Sequence, residues 1–255
     1  MTMQYEYLTD SSDRSLVPFF SPSVTAALFY GVLIVTGVLV VFWPWQDLPS
    51  FMGKQQSPLV FFQLSTAVLI IIAYVNLRCG RGEMVRTDYF KSYEGKPPRT
   101  FEQERNFFRY GLIGFLLHTL FLLLPFLPLL ILATSLSGLS LRACAQACVL
   151  VFMTSLLCRV FGFVMYLLGG RASFFGYFFT RAFFVLVLFA TAVLAPACNP
   201  ILVLYGMNKT SQRIDVPIAS HYIFSMAVTL IALLVFMLAS QLLITYQRHK
   251  REKET

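Results

Sequence analysis

Five stretches of this chain carry no Asp, Glu, Lys or Arg: residues 15–46, 55–77, 110–141, 182–208 and 216–247. Each can supply the ~20 consecutive apolar residues of a membrane helix. Only 13% of the residues are charged and 57% are apolar, whereas a water-facing surface needs about 25–35% charge. A soluble globular enzyme is therefore excluded, and so are a disordered chain and a disulfide scaffold. In hydrocarbon every backbone N–H and C=O must be satisfied within the structure, which leaves helices and closed barrels. Runs this long and continuously apolar suit helices, not the alternating ten-residue strands of a barrel. The expected fold is all-α and polytopic, a single transmembrane domain over residues 1–255 with six spans. These lie near 23–43, 58–77, 110–134, 141–168, 174–205 and 219–246.

The formal charge of +8 first suggests nucleic acid, but basic residues flanking membrane helices give the same sum through the positive-inside bias. No nucleic-acid partner is expected; the bilayer is. With the N-terminus inside, fourteen Lys and Arg fall on the cytoplasmic side and four outside. That split predicts a cytoplasmic segment 1–22, a cytoplasmic connection 78–109, a basic cytoplasmic tail 247–255, and a multi-pass protein of the cell inner (plasma) membrane. Trp43 and Trp45 suit the outer interfacial belt. The first apolar segment begins late and lacks a small-residue cleavage site, so it is expected to stay as a span.

Of the five cysteines, Cys144, Cys148, Cys158 and Cys198 fall in predicted spans and Cys79 on the cytoplasmic side, with no CxxC pair. They read as packing residues, and no metal site is expected.

The connection holds eight basic and five acidic residues between Arg78 and Arg109. Mixed signs favour a protein partner or mutual pairing over a lipid-binding patch, which would be nearly free of carboxylates. Gly95, Lys96, Pro97 and Pro98 break any helix there, and Thr100 with Gln103 forms a capping box that opens a new one. A short helix is expected from Glu83 to Tyr93.

Arg159 and Arg181 are the costliest residues in the chain, at roughly 2.5–3.5 kcal/mol each for a mid-bilayer cation. Each lies eleven residues from Gly170, at the tip of the predicted cytoplasmic hairpin, which puts both at one depth. They could line a path for an anionic group, snorkel to the inner headgroups, or mark a fourth span that ends early; His118, in the third span, could face a cavity or pack between helices.

No catalytic constellation emerges: the sequence has no HExxH, no GxSxG and no phosphate loop. No Asp or Glu lies in any predicted span, which removes the usual support for coupling to an ion gradient. The chain is expected to be a non-catalytic membrane subunit without a cofactor.

Together, six spans with both termini inside, a charged connection after the second span and no nucleotide motif resemble the ABC-2 type permeases, the membrane subunits of ABC exporters. Leu127-Pro128-Leu129-Leu130 followed by Ser137-Gly138-Leu139-Ser140-Leu141 is similar to that family's leucine-rich third span and outer turn. Pro196-Ala197-Cys198-Asn199-Pro200 is similar to its late proline break, and Arg81-Gly82-Glu83 sits where the family meets its ATPase. The resemblance implies a permease half that pairs with a second, identical or homologous half and with ABC ATPase subunits on the cytoplasmic face. It implies a lipid-like, amphiphilic or peptide substrate. Arg81, Glu83, Arg86 and Asp88 would couple to the ATPase, Arg159, Arg181 and His118 would border the substrate path, and Pro125, Pro128, Pro196 and Pro200 would break the spans. The alternative is a non-transporting assembly subunit of a larger membrane complex.

Overall fold

A computed structural model of the chain describes residues 22–41, 58–86, 115–169, 174–209 and 218–254, and the described residues are all-helical. Seven helices follow in order: α1 (Pro22–Val41), α2 (Pro58–Arg86), α3 (Phe115–Leu136), α4 (Leu141–Gly169), α5 (Phe174–Leu194), α6 (Pro200–Lys209) and α7 (Ile218–Glu254). Prolines open α1, α2 and α6, where the missing N–H would have had no intrahelical partner and the fixed φ already suits a helix.

Among the described residues, four stretches are long and apolar enough to cross a membrane: Leu59–Leu77, Phe115–Leu136, Leu141–Met165 and Ser220–Tyr246. Their surface agrees with that reading. On α7, Ile231, Leu238 and Leu242 are exposed, as are Phe189, Val193 and Leu194 on α5. Apolar faces of this extent suit lipid, not water, and the fold fits a multi-pass membrane protein.

α3 and α4 form a hairpin whose turn the sequence specifies atom by atom. Gly138 takes a left-handed φ of 66°, open to glycine without the Cβ clash other residues meet. Its N–H donates to Ser135 O at 3.2 Å, and the N–H of Leu139 donates to Thr134 O at 3.0 Å. These two bonds are the Schellman closure of α3. Ser140 then opens α4, its carbonyl accepting from Ala143 N at 2.9 Å. Ser137 reaches further: its Oγ accepts the N–H of Phe61 at 3.0 Å. Phe61 lies in the first turn of α2, so this bond ties the start of that helix to the end of α3. It also fixes the start of α2 beside the α3–α4 turn, so α2 and α4 run parallel with α3 antiparallel to both.

Around that arrangement α2 packs most extensively on α4, and α4 next on α7. The larger core joins Phe61, Leu64, Val68 and Ile72 of α2, Phe126 and Leu130 of α3, Ala147, Leu150 and Val151 of α4, and Val203 and Leu204 of α6. A smaller one joins Leu156 and Val160 of α4 to Leu233 of α7, with Phe115 and Leu116 of α3 against it. α1 docks through Gly31, where an added Cβ would stand 3.1 Å from Ile71 Cγ2 and 3.2 Å from Phe126 Cζ. One turn and a half later, Gly37 meets nothing within 4 Å.

The second membrane-length stretch ends at Leu77 as expected, and the helix that carries it runs on to Arg86. Gly80 and Gly82 cost a helix only about 1 kcal/mol each, and no proline follows until Pro97. In the fifth predicted span, where Pro196 and Pro200 were expected to break the helix, Pro196–Cys198 forms a separate 3₁₀ turn between α5 and α6. The basic tail continues α7 as far as Glu254. The expected helix from Glu83 to Tyr93 is described only up to Arg86, and the rest lies outside the described residues.

Candidate functional site: a buried arginine centre

Arg159 sits on α4 eighteen residues after Leu141, and Asn76 sits on α2 eighteen residues after Pro58. Because α2 and α4 are parallel and start together, the two arrive at one level. There, α3 contributes His118 and Thr119 from its first turns. All four side chains are enclosed, at 0–1% exposure, in a bundle whose other interior residues at this level are mostly apolar.

The contacts form a clamp across three helices. Arg159 Nη1 donates to Asn76 Oδ1 at 3.0 Å and also to His118 Nδ1. Accepting on Nδ1 requires that this nitrogen carry no proton, so the imidazole is neutral with its hydrogen on Nε2. The guanidinium carbon lies 4.8 Å from the centre of the Phe115 ring, within the range where a ring face attracts a cation. The Thr119 hydroxyl lies 3.0 Å from Asn76 Oδ1 and 2.8 Å from Phe115 O. Asn76 Nδ2 donates to Ile72 O at 3.1 Å, in its own preceding turn. Asn76 therefore turns its amide so that one oxygen serves two neighbouring helices.

The energetics follow from the partners. A hydrogen bond to a charged group contributes about 1.5–3 kcal/mol and a desolvated cation–π contact about 2 kcal/mol. Together these offset the roughly 2.5–3.5 kcal/mol insertion cost of the arginine. Arg159 is thus held inside the protein by an amide oxygen, an imidazole lone pair and a ring face. Of the courses open to it from sequence, reaching out to the headgroups is not the one it takes.

The other singled-out residues are placed as follows. His118 joins Arg159. Arg181 lies on α5, with its side chain outside the described residues. Phe161 of α4 stacks on Phe183 of α5, centroids 3.7 Å apart and planes 13° from parallel, so positions 159 and 181 fall within about one helical turn of each other. Arg81, Glu83 and Arg86 occupy the last two turns of α2, and their side chains, like Asp88 altogether, lie outside the described residues. Pro125 sits in the 3₁₀ turn Leu124–Phe126 that interrupts α3, and Pro128 opens the helical run that follows. Cys144, Cys148, Cys158 and Cys198 are all free thiols, and among the described residues no three His, Cys, Asp or Glu gather where they could hold a metal.

Pro196 and Pro200 flank a second polar feature. Asn199, 2% exposed, donates through Nδ2 to Leu188 O at 2.8 Å and to Thr191 Oγ1 at 3.0 Å. Its Oδ1 accepts from Ile201 N at 2.9 Å and Leu202 N at 3.2 Å. In a continuous helix residues 188 and 199 would stand about 16 Å apart, so the chain doubles back at the break. One asparagine side chain satisfies backbone groups on both sides of it, where no water would do so.

Sequence reasoning did not single out Asn76, Thr119, Thr191 or Asn199. The signal for Asn76 was its isolation: it is the only Asn in the apolar run 55–77, at the same distance from its helix start as Arg159. Protein-family models, curated proteins and solved structures offer no match to this chain.

Proposed function

We propose that the chain is a six-span permease subunit of the ABC-2 type, half of an export path for an amphiphilic substrate, driven by ATPase subunits on its cytoplasmic face. The observation that carries this reading is the enclosed Arg159 centre, since a cation kept within a membrane bundle is by default a functional group. Four membrane-length helices, a helical α1 at the first predicted span and a helix pair broken between Pro196 and Pro200 at the fifth accord with six crossings. Broken helices are a recurring feature of transporter binding regions. The missing phosphate loop puts ATP hydrolysis on a partner chain. The basic-residue split supports a cytoplasmic connection and cytoplasmic termini, and the reading takes the inner (plasma) membrane as the location. The charged segment from Arg78 to Arg109, containing Arg81, Glu83, Arg86 and Asp88, is the surface assigned to the ATPase, and a second permease half completes the path.

One observation favours a second reading, a non-transporting assembly subunit. Arg159 is 1% exposed, a closed clamp and not an open lining. Gentle purification from the native membrane separates the two readings. Recovery with an ATPase and a second six-span chain supports the permease. Recovery with membrane partners that include no ATPase supports the assembly subunit and removes the permease.

A further inference from the structure

We infer that ordered water is bound between α4 and α7, on the hydroxyls of Thr154 and Ser225, within the membrane-length part of the bundle. The site lies apart from the Arg159 centre and stands whether or not the chain is a permease.

Position is the first argument. Phe161 of α4 stacks on Phe183 of α5 and meets Phe236 of α7 edge-on, centroids 5.3 Å apart. α7 runs parallel to α4. Tyr222 and Met226 pack against the core that includes Cys144, Ala147 and Leu150, Leu233 joins Leu156 and Val160, and Phe236 reaches Phe161. Thr154 stands seven residues before Phe161, and Thr229 seven before Phe236. Seven residues make about two helical turns, so each threonine shares a helix face with its ring, ~11 Å away. Phe161 lies eight residues before the end of α4 and Phe183 nine after the start of α5, so these two helices are antiparallel. Thr191, eight residues beyond Phe183, therefore arrives at the same level. The 3₁₀ turn Pro196–Cys198 packs on α7, and Asn199 bonds Thr191. Three helices and the break thus bring hydroxyls to one layer, near the middle of the stretch Leu141–Met165.

The bonding within that layer is the second. Thr191 and Thr229 each donate to a carbonyl of the preceding turn, at 2.6 and 2.8 Å, as Thr134 does elsewhere. Asn199 has paired both ends of its amide at the break. Thr154 Oγ1 and Ser225 Oγ differ: both are enclosed without a partner among the described residues, in side chains at 9% and 1% exposure. Ser225 stands one turn from Thr229 on the same face of α7. An enclosed hydroxyl bonded to nothing bears the whole cost of its lost hydration, and buried water that bridges roughly two to four polar groups removes that cost. Thr229 Oγ1 keeps lone pairs that such a water can donate to. Charge selects the ligand. Residues 182–208 and 216–247 carry no Asp, Glu, Lys or Arg, and Arg159 is turned to α2 and α3. A layer of neutral hydroxyls offers an ion no counter-charge and suits water.

The test is water-edited solid-state NMR on the full-length chain, ¹³C-labelled at Ser and Thr, in lipid bilayers. Magnetisation from water should reach the side chains of Thr154 and Ser225 ahead of Thr134, which is 2% exposed and bonds Leu130 O at 2.6 Å. The two signals should vanish in T154V and S225A, which assigns them. In bicelles each variant should lower the folding equilibrium constant about threefold, the mean worth of a polar contact between membrane helices. The double variant should lose less than the product of the two, because both hydroxyls share the water. Transfer to Thr154 and Ser225 no faster than to Thr134 overturns the inference even if neither variant folds. Single variants as stable as the wild type, or more so, also overturn it, since that is the behaviour of hydroxyls that bond nothing or turn back on their own helix. Losses that simply multiply remove the shared water.

Discussion

Asn76 Oδ1 accepts from Arg159 and lies within bonding distance of Thr119, so two side chains lose an acceptor if it is removed. Asn76→Ala should cost about 1–3 kcal/mol, the penalty of leaving buried polar groups unsatisfied, one of them charged. Thr119→Val should cost less, near the ~0.6 kcal/mol mean of interhelical polar bonds in membranes, because Thr119 also bonds Phe115 O. Reversible unfolding in bicelles measures both, and equal losses would contradict a clamp centred on Asn76. Arg159 and His118 were legible from sequence because ionisable groups stand out in an apolar run. Asn76 and Thr119 were not. A small polar side chain can bond to its own preceding turn anywhere in a membrane helix, as Thr134 and Thr229 do. Only the pairing of α2 with α4 shows which of them meets the arginine.

Among the elements, the break between α5 and α6 depends on Asn199 more than on its prolines. Pro196 and Pro200 prevent a continuous helix, but Asn199 supplies the bonds that make the break tolerable in hydrocarbon. Asn199→Ala should destabilise the protein by about 1–2 kcal/mol, the range for losing a helix cap, whereas Asn199→Asp keeps the acceptor and loses the donor to Leu188 O. Thermal unfolding of the two variants ranks these halves. α1 offers a paired test. Gly31→Val forces a side chain against Ile71 and Phe126, while Gly37→Val meets open space. The first should lower thermal stability and loosen α1, read as faster hydrogen exchange over residues 22–41, and the second should do neither. Equal effects would remove close packing at Gly31 as the reason α1 docks. The prolines announced the break in the sequence, but its doubling-back did not show, since the bond from Asn199 to Leu188 spans eleven residues and depends on the turn between them. The extension of α2 to Arg86 did not show either, since an apolar run marks the span and not the helix, and Gly80 and Gly82 weaken a helix without removing a backbone bond.

At the scale of the molecule, the hydrophobic runs fixed the class of fold and left assembly open. The permease reading makes the segment after α2 the place where a partner's force enters. Charge reversal at Glu83 or Asp88 should leave the complex assembled and the ATPase active while uncoupling hydrolysis from transport, measured as flux per ATP in reconstituted vesicles. Unchanged stoichiometry in both variants would take that role away from the segment. The most direct test of the whole account is a transport measurement with and without the partner. Vesicles holding this chain, its second half and the co-purified ATPase should move a labelled amphiphile only when ATP is supplied, and vesicles holding this chain alone should not. Movement by the chain alone, or none with ATP and every subunit present, would contradict it.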